Sequence, residues 1–188
     1  MAPSVWGRKQ RFRPTPGAVL SGLVVLGALA FGLTRLQLPV APLIGRAEAI
    51  DGDTLRMGSV RVRLMGLDAP ELDQTCTRAD GSEWSCGSEA KAALAVRLRA
   101  GAIDCARYGR DIYGRTLAKC SAGGADLAAD MVRAGWAVSD DDYLYESAAA
   151  RAQQLGIWSG RFDHPIDWRR RHGADQPGPW EWIRSWFQ

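Results

Sequence analysis

The sequence predicts an α+β domain in which five short strands close into a small barrel, with about three packed helices and one preceding membrane helix. Three observations predict it: polar and apolar residues alternate between turn residues at 46–66 and 102–120, helically spaced apolar residues occur elsewhere, and an uncharged stretch lies near the N-terminus. With 188 residues, the chain is long enough for one domain and additional segments.

The predicted membrane helix occupies residues 17–34, after a basic N-terminal segment at 1–16. The stretch GAVLSGLVVLGALAFGL is uncharged, and as a helix it would extend about 26 Å, close to the ~30 Å of a bilayer core. It is either an anchor or a signal peptide cleaved after Ala30, and the continuing apolar run favours the anchor. Both interpretations place the remaining chain outside the cytoplasm, as a single-pass protein of the cell membrane or as a secreted one.

The strands follow a linker predicted at 35–45, which contains two prolines. Asp51-Gly52-Asp53 and Gly58-Ser59 are hairpin signals between the first three strands, and GRDIYG (109–114) separates the last two. The five strands are predicted at 46–50, 54–58, 60–66, 102–108 and 115–120. They belong to a domain predicted at 46–170.

Three helices are predicted at 88–100, 126–134 and about 145–155. Ser88 is the expected cap of the first helix, and glycines follow the ends of all three. The Trp-rich tail at 171–188 ends in GPWEWIRSWFQ, which would lie at a membrane interface or dock on the domain.

The chain has four cysteines, Cys76, Cys86, Cys105 and Cys120. An even number in an exported chain predicts two disulfides, and four cysteines allow three pairings. We favour Cys76–Cys86, which would close a loop, and Cys105–Cys120, which would join neighbouring strands. The cysteines lack the paired C-x-x-C spacing of a metal site.

Bulk charge does not identify a partner. The net charge is +3, but residues 1–45 hold five basic and no acidic side chains. Residues 46–176 hold 18 basic and 20 acidic side chains, a net charge of −2. Nothing in the sequence indicates a protein partner, and a monomer is expected.

Two groups of carboxylates lie at the ends of the first strands. Strand 60–66 alternates, with its valines on one face and its arginines on the other. The chain must turn at Pro70, which would bring Asp68 and Glu71 beside Asp51 and Asp53. Such a cluster fits a hard cation such as Ca²⁺ or Mg²⁺, whereas Asp-Gly-Asp alone is more typical of a turn.

Two arginines complete this charged region. Arg63 precedes Asp68 by five residues, and Arg115 ends the motif DIYGR. Guanidinium groups bind phosphate oxygens, so this combination indicates phosphodiester cleavage. Taken singly, each arginine would more commonly form a surface salt bridge.

Five motifs resemble the thermonuclease (micrococcal nuclease-like) family in order and approximate spacing. They are IDGDTLRM, VRLMGLDAPEL, DIYGR, MVRAGWA and GIWSG, and the resemblance covers about residues 46–169. The resemblance implies an OB-fold barrel with packed helices and Ca²⁺-dependent hydrolysis of DNA and RNA.

The resemblance also implies roles for individual residues. Asp53 and Asp68 resemble the carboxylate ligands of Ca²⁺, with the main-chain carbonyl of Ala69 as a further ligand. Glu71 resembles the general base. Arg63 and Arg115 resemble the groups that bind phosphate and stabilise the transition state, and Tyr113 matches a nucleotide-contacting position. Tyr113 would stack on a base or lie at the edge of the core.

The sequence departs from the family at two points. Ala69 replaces a threonine found in well-studied members, which removes a hydroxyl but keeps the carbonyl. An acidic run at 140–142 follows GWA, where some members carry tyrosines. Acidic side chains there would repel phosphate, so the substrate affinity and preference of the family do not carry over directly.

The alternative function is a non-catalytic OB-fold module that binds nucleic acid or protein. The presence of Glu71 together with both arginines favours catalysis.

Overall fold

The computed structural model describes residues 41–139 and 141–172. Its strands are β1 (Leu43–Gly45), β2 (Glu48–Ala49), β3 (Thr54–Met57), β4 (Val60–Leu64), β5 (Cys76–Arg78), β6 (Glu83–Trp84), β7 (Ile103–Arg110), β8 (Thr116–Ala122), β9 (Ala125–Asp126) and β10 (Gly160–Arg161). Its α-helices are α1 (Cys86–Arg97), α2 (Leu127–Arg133), α3 (Leu144–Ala152) and α4 (Pro165–His172). The predicted membrane helix, Asp140 and most of the Trp-rich tail lie outside the described residues.

The main sheet has the order β1-β7-β8-β4-β3-β2, with β9 on β8. Its pairs are antiparallel except for β4 and β8, which run parallel and align Arg63 with Leu117. This parallel pair brings the end of β4, with Arg63, beside the start of β8, which follows Arg115.

The described residues form an α+β domain, but their sheet is not the predicted closed five-stranded barrel. β1 pairs with β7 and β2 with β3, so the two outer strands lie at opposite edges of the sheet. The chain passes from one edge to the other through Arg46 and Ala47, which belong to neither strand. Among the described residues, no strand pairing joins β1 to β2, so the sheet is not closed by hydrogen bonds between its two edges. The prediction of closure was wrong because alternation identifies strands but does not specify their outermost pairing.

The first strand of the main sheet, β1, begins at Leu43, inside the segment predicted to be a linker, so this strand was not predicted. A second, three-stranded sheet, β10-β5-β6, was not predicted either, because each of its strands has only two or three residues. Short strands carry too few residues to show a period of two.

The helix ends partly follow the sequence signals. The Asp126 side chain caps α2 and accepts hydrogen bonds from the amides of Ala128 and Ala129, at 2.8 and 3.2 Å. The prediction of Ser88 as a cap was wrong. The structure has α1 beginning at Cys86, after Ser85, because the disulfide and the close packing of Gly87 fix its start.

Both favoured disulfides are present, Cys76–Cys86 and Cys105–Cys120. Cys105 and Cys120 are direct cross-strand partners on β7 and β8. Cys76–Cys86 joins β5 to the start of α1 and lies in a small apolar cluster with Val138 and Ile157. The larger core lies between the main sheet and helices α1 and α2, and its fully buried members include Leu55, Val62, Leu64, Leu94, Ile103, Leu127 and Met131.

Among the residues that the structure describes, no helix has the length and apolar character needed to cross a bilayer. The segment 17–34, for which a membrane helix was predicted, is not among them.

Candidate active site

The loops that flank β3 and β4 bring the predicted carboxylates together. Asp53 precedes β3, and its carbonyl accepts a hydrogen bond from the Leu64 amide of β4 at 2.9 Å. Asp68 follows β4 and exchanges two backbone hydrogen bonds of 2.9 Å with Val138. Backbone hydrogen bonds therefore fix both ends of the β3–β4 hairpin.

Asp53 is the most buried carboxylate of this group, with 4% of its surface exposed. It accepts hydrogen bonds from the Thr54 hydroxyl at 2.9 Å and from the Ala69 amide at 3.3 Å. Burial raises the pKa of Asp53 to about 7, although the charge of Arg63 opposes the increase. Asp51 has a different role, because its Oδ1 accepts the amides of Asp53 and Thr54 and so shapes the turn.

Arg63 lies between two carboxylates. Its Nη1 donates to Asp53 Oδ1 and its Nη2 to Asp68 Oδ1, both at 2.8 Å. Burial alone would lower the pKa of Arg63, but the charge of Asp53 and the hydrogen bond with Asp68 raise it. The guanidinium is therefore charged and held in one orientation.

Arg115 is held by its own hairpin. Its Nε donates to Asp111 Oδ2 at 2.7 Å, while Asp111 Oδ1 accepts the amides of Tyr113 and Arg115, each at 2.9 Å. Burial would raise the pKa of Asp111, but its hydrogen bonds with Arg115 lower it below the usual range. Arg115 Nη1 also lies 3.4 Å from the Thr54 hydroxyl, beside Asp53. Asp111 was not predicted, although its place in DIYGR is a turn signal.

Tyr113 lies at the tip of this hairpin, with 52% of its surface exposed. The Arg115 guanidinium lies 5.4 Å from the centre of its ring. The ring is therefore open to solvent and is not part of the core. This position suits stacking on a base, one of the two interpretations considered for Tyr113.

Glu71 is positioned by a buried glutamine. Gln74 is fully buried, and its Oε1 accepts the Glu71 amide at 3.1 Å while its Nε2 donates to the Asp163 carbonyl at 2.7 Å. Gly87 packs directly against the main-chain carbonyl of Glu71. Glu71 is thus fixed from α1 and from the segment that leads into α4.

Arg169, on α4, also contacts these carboxylates, a role that the sequence motifs did not predict. Its Nη2 donates to Asp68 Oδ2 at 2.8 Å and its Nη1 to Glu71 Oε1 at 2.7 Å. Burial would lower the pKa of Arg169, but its bonds to these two carboxylates raise it. One available signal for the helix was Pro165, because proline favours the first position of a helix. A helix that begins there contains Arg169.

The charged groups line one cleft with a volume of about 710 Å³. Its walls combine carboxylates and arginines with a few apolar side chains: Asp51, Asp53, Arg61, Arg63, Ala69, Pro70, Glu71, Asp111, Tyr113, Arg115, Leu117, Ile166 and Arg169. Arg63, Glu71 and Arg115 therefore face a common space, in which the two guanidinium groups can bind an anionic group while the Glu71 carboxylate lies beside it.

The donor set around Asp53 fits a hard cation. Both predicted carboxylate ligands, Asp53 and Asp68, lie within 2.8 Å of the same guanidinium, and Ala69 directly follows Asp68. Carboxylate, carbonyl and water oxygens are the ligands that Ca²⁺ prefers. Within residues 41–139 and 141–172, no three Asp, Glu, His or Cys side chains form a compact metal-binding group. A cation here would therefore depend on the two carboxylates together with carbonyl or water oxygens.

The chain is similar to one family model and to several known proteins, and two of the three relatives described next are named as nucleases. The family model described as staphylococcal nuclease homologue matches residues 61–160. The succinoglycan biosynthesis protein ExoI of Rhizobium meliloti is 36% identical over 157 residues, which cover 80% of this chain and 78% of that protein. An uncharacterized endonuclease of Haemophilus influenzae is 32% identical over 133 residues, covering 64% and 69%. The micrococcal nuclease of Shigella flexneri is 31% identical over 175 residues, covering 80% and 95%.

Proposed function

Because the chain belongs to the staphylococcal nuclease homologue family, with its thermonuclease-like members, we propose that it is a Ca²⁺-dependent endonuclease that hydrolyses phosphodiester bonds in DNA, RNA or both. The observation that carries this proposal is the convergence of Arg63, Glu71 and Arg115 on the cleft beside Asp53 and Asp68. The name of the Shigella relative, micrococcal nuclease, supports it.

In this mechanism Asp53, Asp68 and the Ala69 carbonyl would hold the cation, which would supply Lewis-acid polarisation of the phosphate. Glu71 accepts the proton of the attacking water, and the fixed backbone around Gln74 keeps its carboxylate in place. The new phosphorus–oxygen bond forms as the bond to the leaving sugar oxygen breaks, and that oxygen leaves with the bonding electron pair and takes a proton from solvent.

The two arginines act on the phosphate. Charge accumulates on the phosphoryl oxygens in the transition state, and Arg63 and Arg115 donate hydrogen bonds to those oxygens. Both guanidinium groups are oriented in advance by carboxylates, Arg63 by Asp53 and Asp68 and Arg115 by Asp111. This lowers the cost of ordering them during the reaction. Tyr113 stacks on a neighbouring base.

The experiment compares the wild-type full chain with Glu71→Gln on single-stranded DNA, with Ca²⁺ or with EDTA. Glu48→Gln is the matched control, because Glu48 forms a surface pair with Arg56 on the sheet. We expect degradation by wild type and Glu48→Gln in Ca²⁺ only, and a loss of at least about 100-fold in Glu71→Gln. Equal degradation in EDTA, or by Glu71→Gln, would disprove this mechanism. Binding by wild type without any degradation would favour the non-catalytic OB-fold module.

We also propose that the domain works outside the cytoplasm, anchored or exported through residues 17–34. Both disulfides support this location, because such bonds persist in oxidising compartments. Alkylation of the protein from its native cells under denaturing conditions is expected to find all four cysteines oxidised. Four free thiols would contradict export. The family assignment also supports an OB-type arrangement of the main sheet.

A further inference from the structure

Helix α4 is attached to the rest of the domain in an unusual way. Pro165 is its buried residue, Trp168 and Arg169 are half-buried, and its other side chains are exposed. Such a short helix with little buried apolar surface has a small hydrophobic contribution to docking. Its attachment therefore depends strongly on polar contacts, and those of Arg169 reach into the cleft.

Arg169 binds both groups that the proposed chemistry requires to be free. Its Nη1 lies 3.1 Å from Asp68 Oδ1, and its Nη2 lies 2.8 Å from Asp68 Oδ2. The same Nη1 lies 2.7 Å from Glu71 Oε1. Both oxygens of the proposed cation ligand Asp68 are thus held by one guanidinium, which also binds an oxygen of the proposed base.

A guanidinium and a divalent cation compete for such oxygens, since each is attracted by the same negative charge. Arg63 also touches Asp68, but it lies on the central strand β4 with 20% of its side chain exposed. Arg169 has 39% of its side chain exposed and is carried by a peripheral helix. It is therefore the arginine that can leave with less disruption of the fold.

We propose that α4 is a latch, with Arg169 as a tethered cation that must leave Asp68 and Glu71 before a divalent cation and the attacking water can use them. This inference rests on the proposed function, since it concerns the same carboxylates. The latch therefore raises the cation concentration that the enzyme requires. Residues 61–160 match the family model, so Arg169 lies beyond the matched segment.

The main test measures cation affinity, not turnover. Isothermal titration calorimetry of the full chain with Ca²⁺ compares wild type with Arg169→Gln and Arg170→Gln. Arg170 is the matched control, because it is the next residue of the same helix, is 71% exposed and pairs with Asp167 at 3.3 Å. Arg169→Gln is expected to bind Ca²⁺ about tenfold more tightly, a modest gain because the ion pairs are partly screened by solvent. Arg170→Gln is expected to match wild type. Thermal melts verify that each variant is folded.

The outcomes separate the latch from the function. If Arg169→Gln binds Ca²⁺ no more tightly than wild type, the latch is wrong and the nuclease proposal stands. If Ca²⁺ binds to no variant, the proposed cation site is wrong and the latch is overturned with it. Tighter binding confined to Arg169→Gln supports the latch.

Hydrogen exchange provides a second readout in wild type. Saturating Ca²⁺ is expected to accelerate amide exchange in α4, because the helix loses its contacts with Asp68 and Glu71. The amides of α2 serve as the internal reference and should keep their rates. Slower exchange of α4 in Ca²⁺ would mean that the helix closes over the cation, and would overturn the latch.

Discussion

Arg63 satisfies two carboxylates with one planar group, and each of the two contacts measures 2.8 Å. This arrangement uses the fork of the guanidinium, which a single ammonium cannot reproduce. It also offsets the negative charge of Asp53, because burying an unpaired carboxylate costs free energy. The residue therefore links the buried end of the site to its solvent-facing end.

Arg63→Lys should separate this geometry from simple charge. Lysine keeps the positive charge but reaches one carboxylate at a time, so we expect kcat on single-stranded DNA to fall by about 10² to 10³. Arg56→Lys is the control, since Arg56 lies on the neighbouring strand β3 and pairs with the exposed Glu48. The control should retain nearly full activity. Wild-type kcat in Arg63→Lys would show that charge alone suffices.

At the scale of elements, the start of α1 supports the base. Cys86 is bonded to Cys76, and the Gly87 amide donates to the Gln74 carbonyl at 3.2 Å. A Cβ on Gly87 would overlap the main-chain carbonyl of Glu71. A glycine is thus required here by close backbone packing.

Gly87→Ala should displace the segment that carries Glu71. We expect a loss of about 1 to 3 kcal/mol in the free energy of unfolding, because main-chain atoms must move to accept the methyl group. The kcat of the folded protein should also fall. Gly109→Ala is the control, since a Cβ there meets no atom within 4 Å. Urea unfolding and initial rates measure the two effects, and equal values for both variants would contradict the packing argument.

The elements also show how far the sequence could predict the fold and the site. Strand β4 was predictable because Val62 and Leu64 are buried while Arg61 is exposed, which is a period of two. Helix α4 was not, because its main contacts are ion pairs from Arg169, which leave no apolar periodicity. The meeting of Arg63 and Arg115 depends on the parallel pairing of β4 with β8, and strand patterns do not reveal such long-range pairing.

At the scale of the whole molecule, the domain is not a basic protein. Residues 46–176 carry a net charge of −2, so a polyanionic substrate gains little from bulk attraction. The cleft is lined by four arginines and four carboxylates, so individual guanidinium groups such as Arg63 and Arg115, and not a net positive surface, would bind phosphate. Substrate binding should therefore involve few phosphate contacts.

This charge distribution predicts a shallow dependence of substrate binding on salt. Each phosphate contact to a single strand contributes about 0.7 to the slope of log KM against log salt concentration, so about three contacts give a slope near 2. Arg115→Gln should reduce the slope by about 0.7, because one contact is lost. Lys91→Gln, on α1 and outside the cleft lining, should leave it unchanged. The measurement uses a single-stranded oligonucleotide at saturating Ca²⁺, from about 50 to 200 mM KCl. A slope of about 5 or more would require a wide basic surface and would contradict binding confined to the cleft.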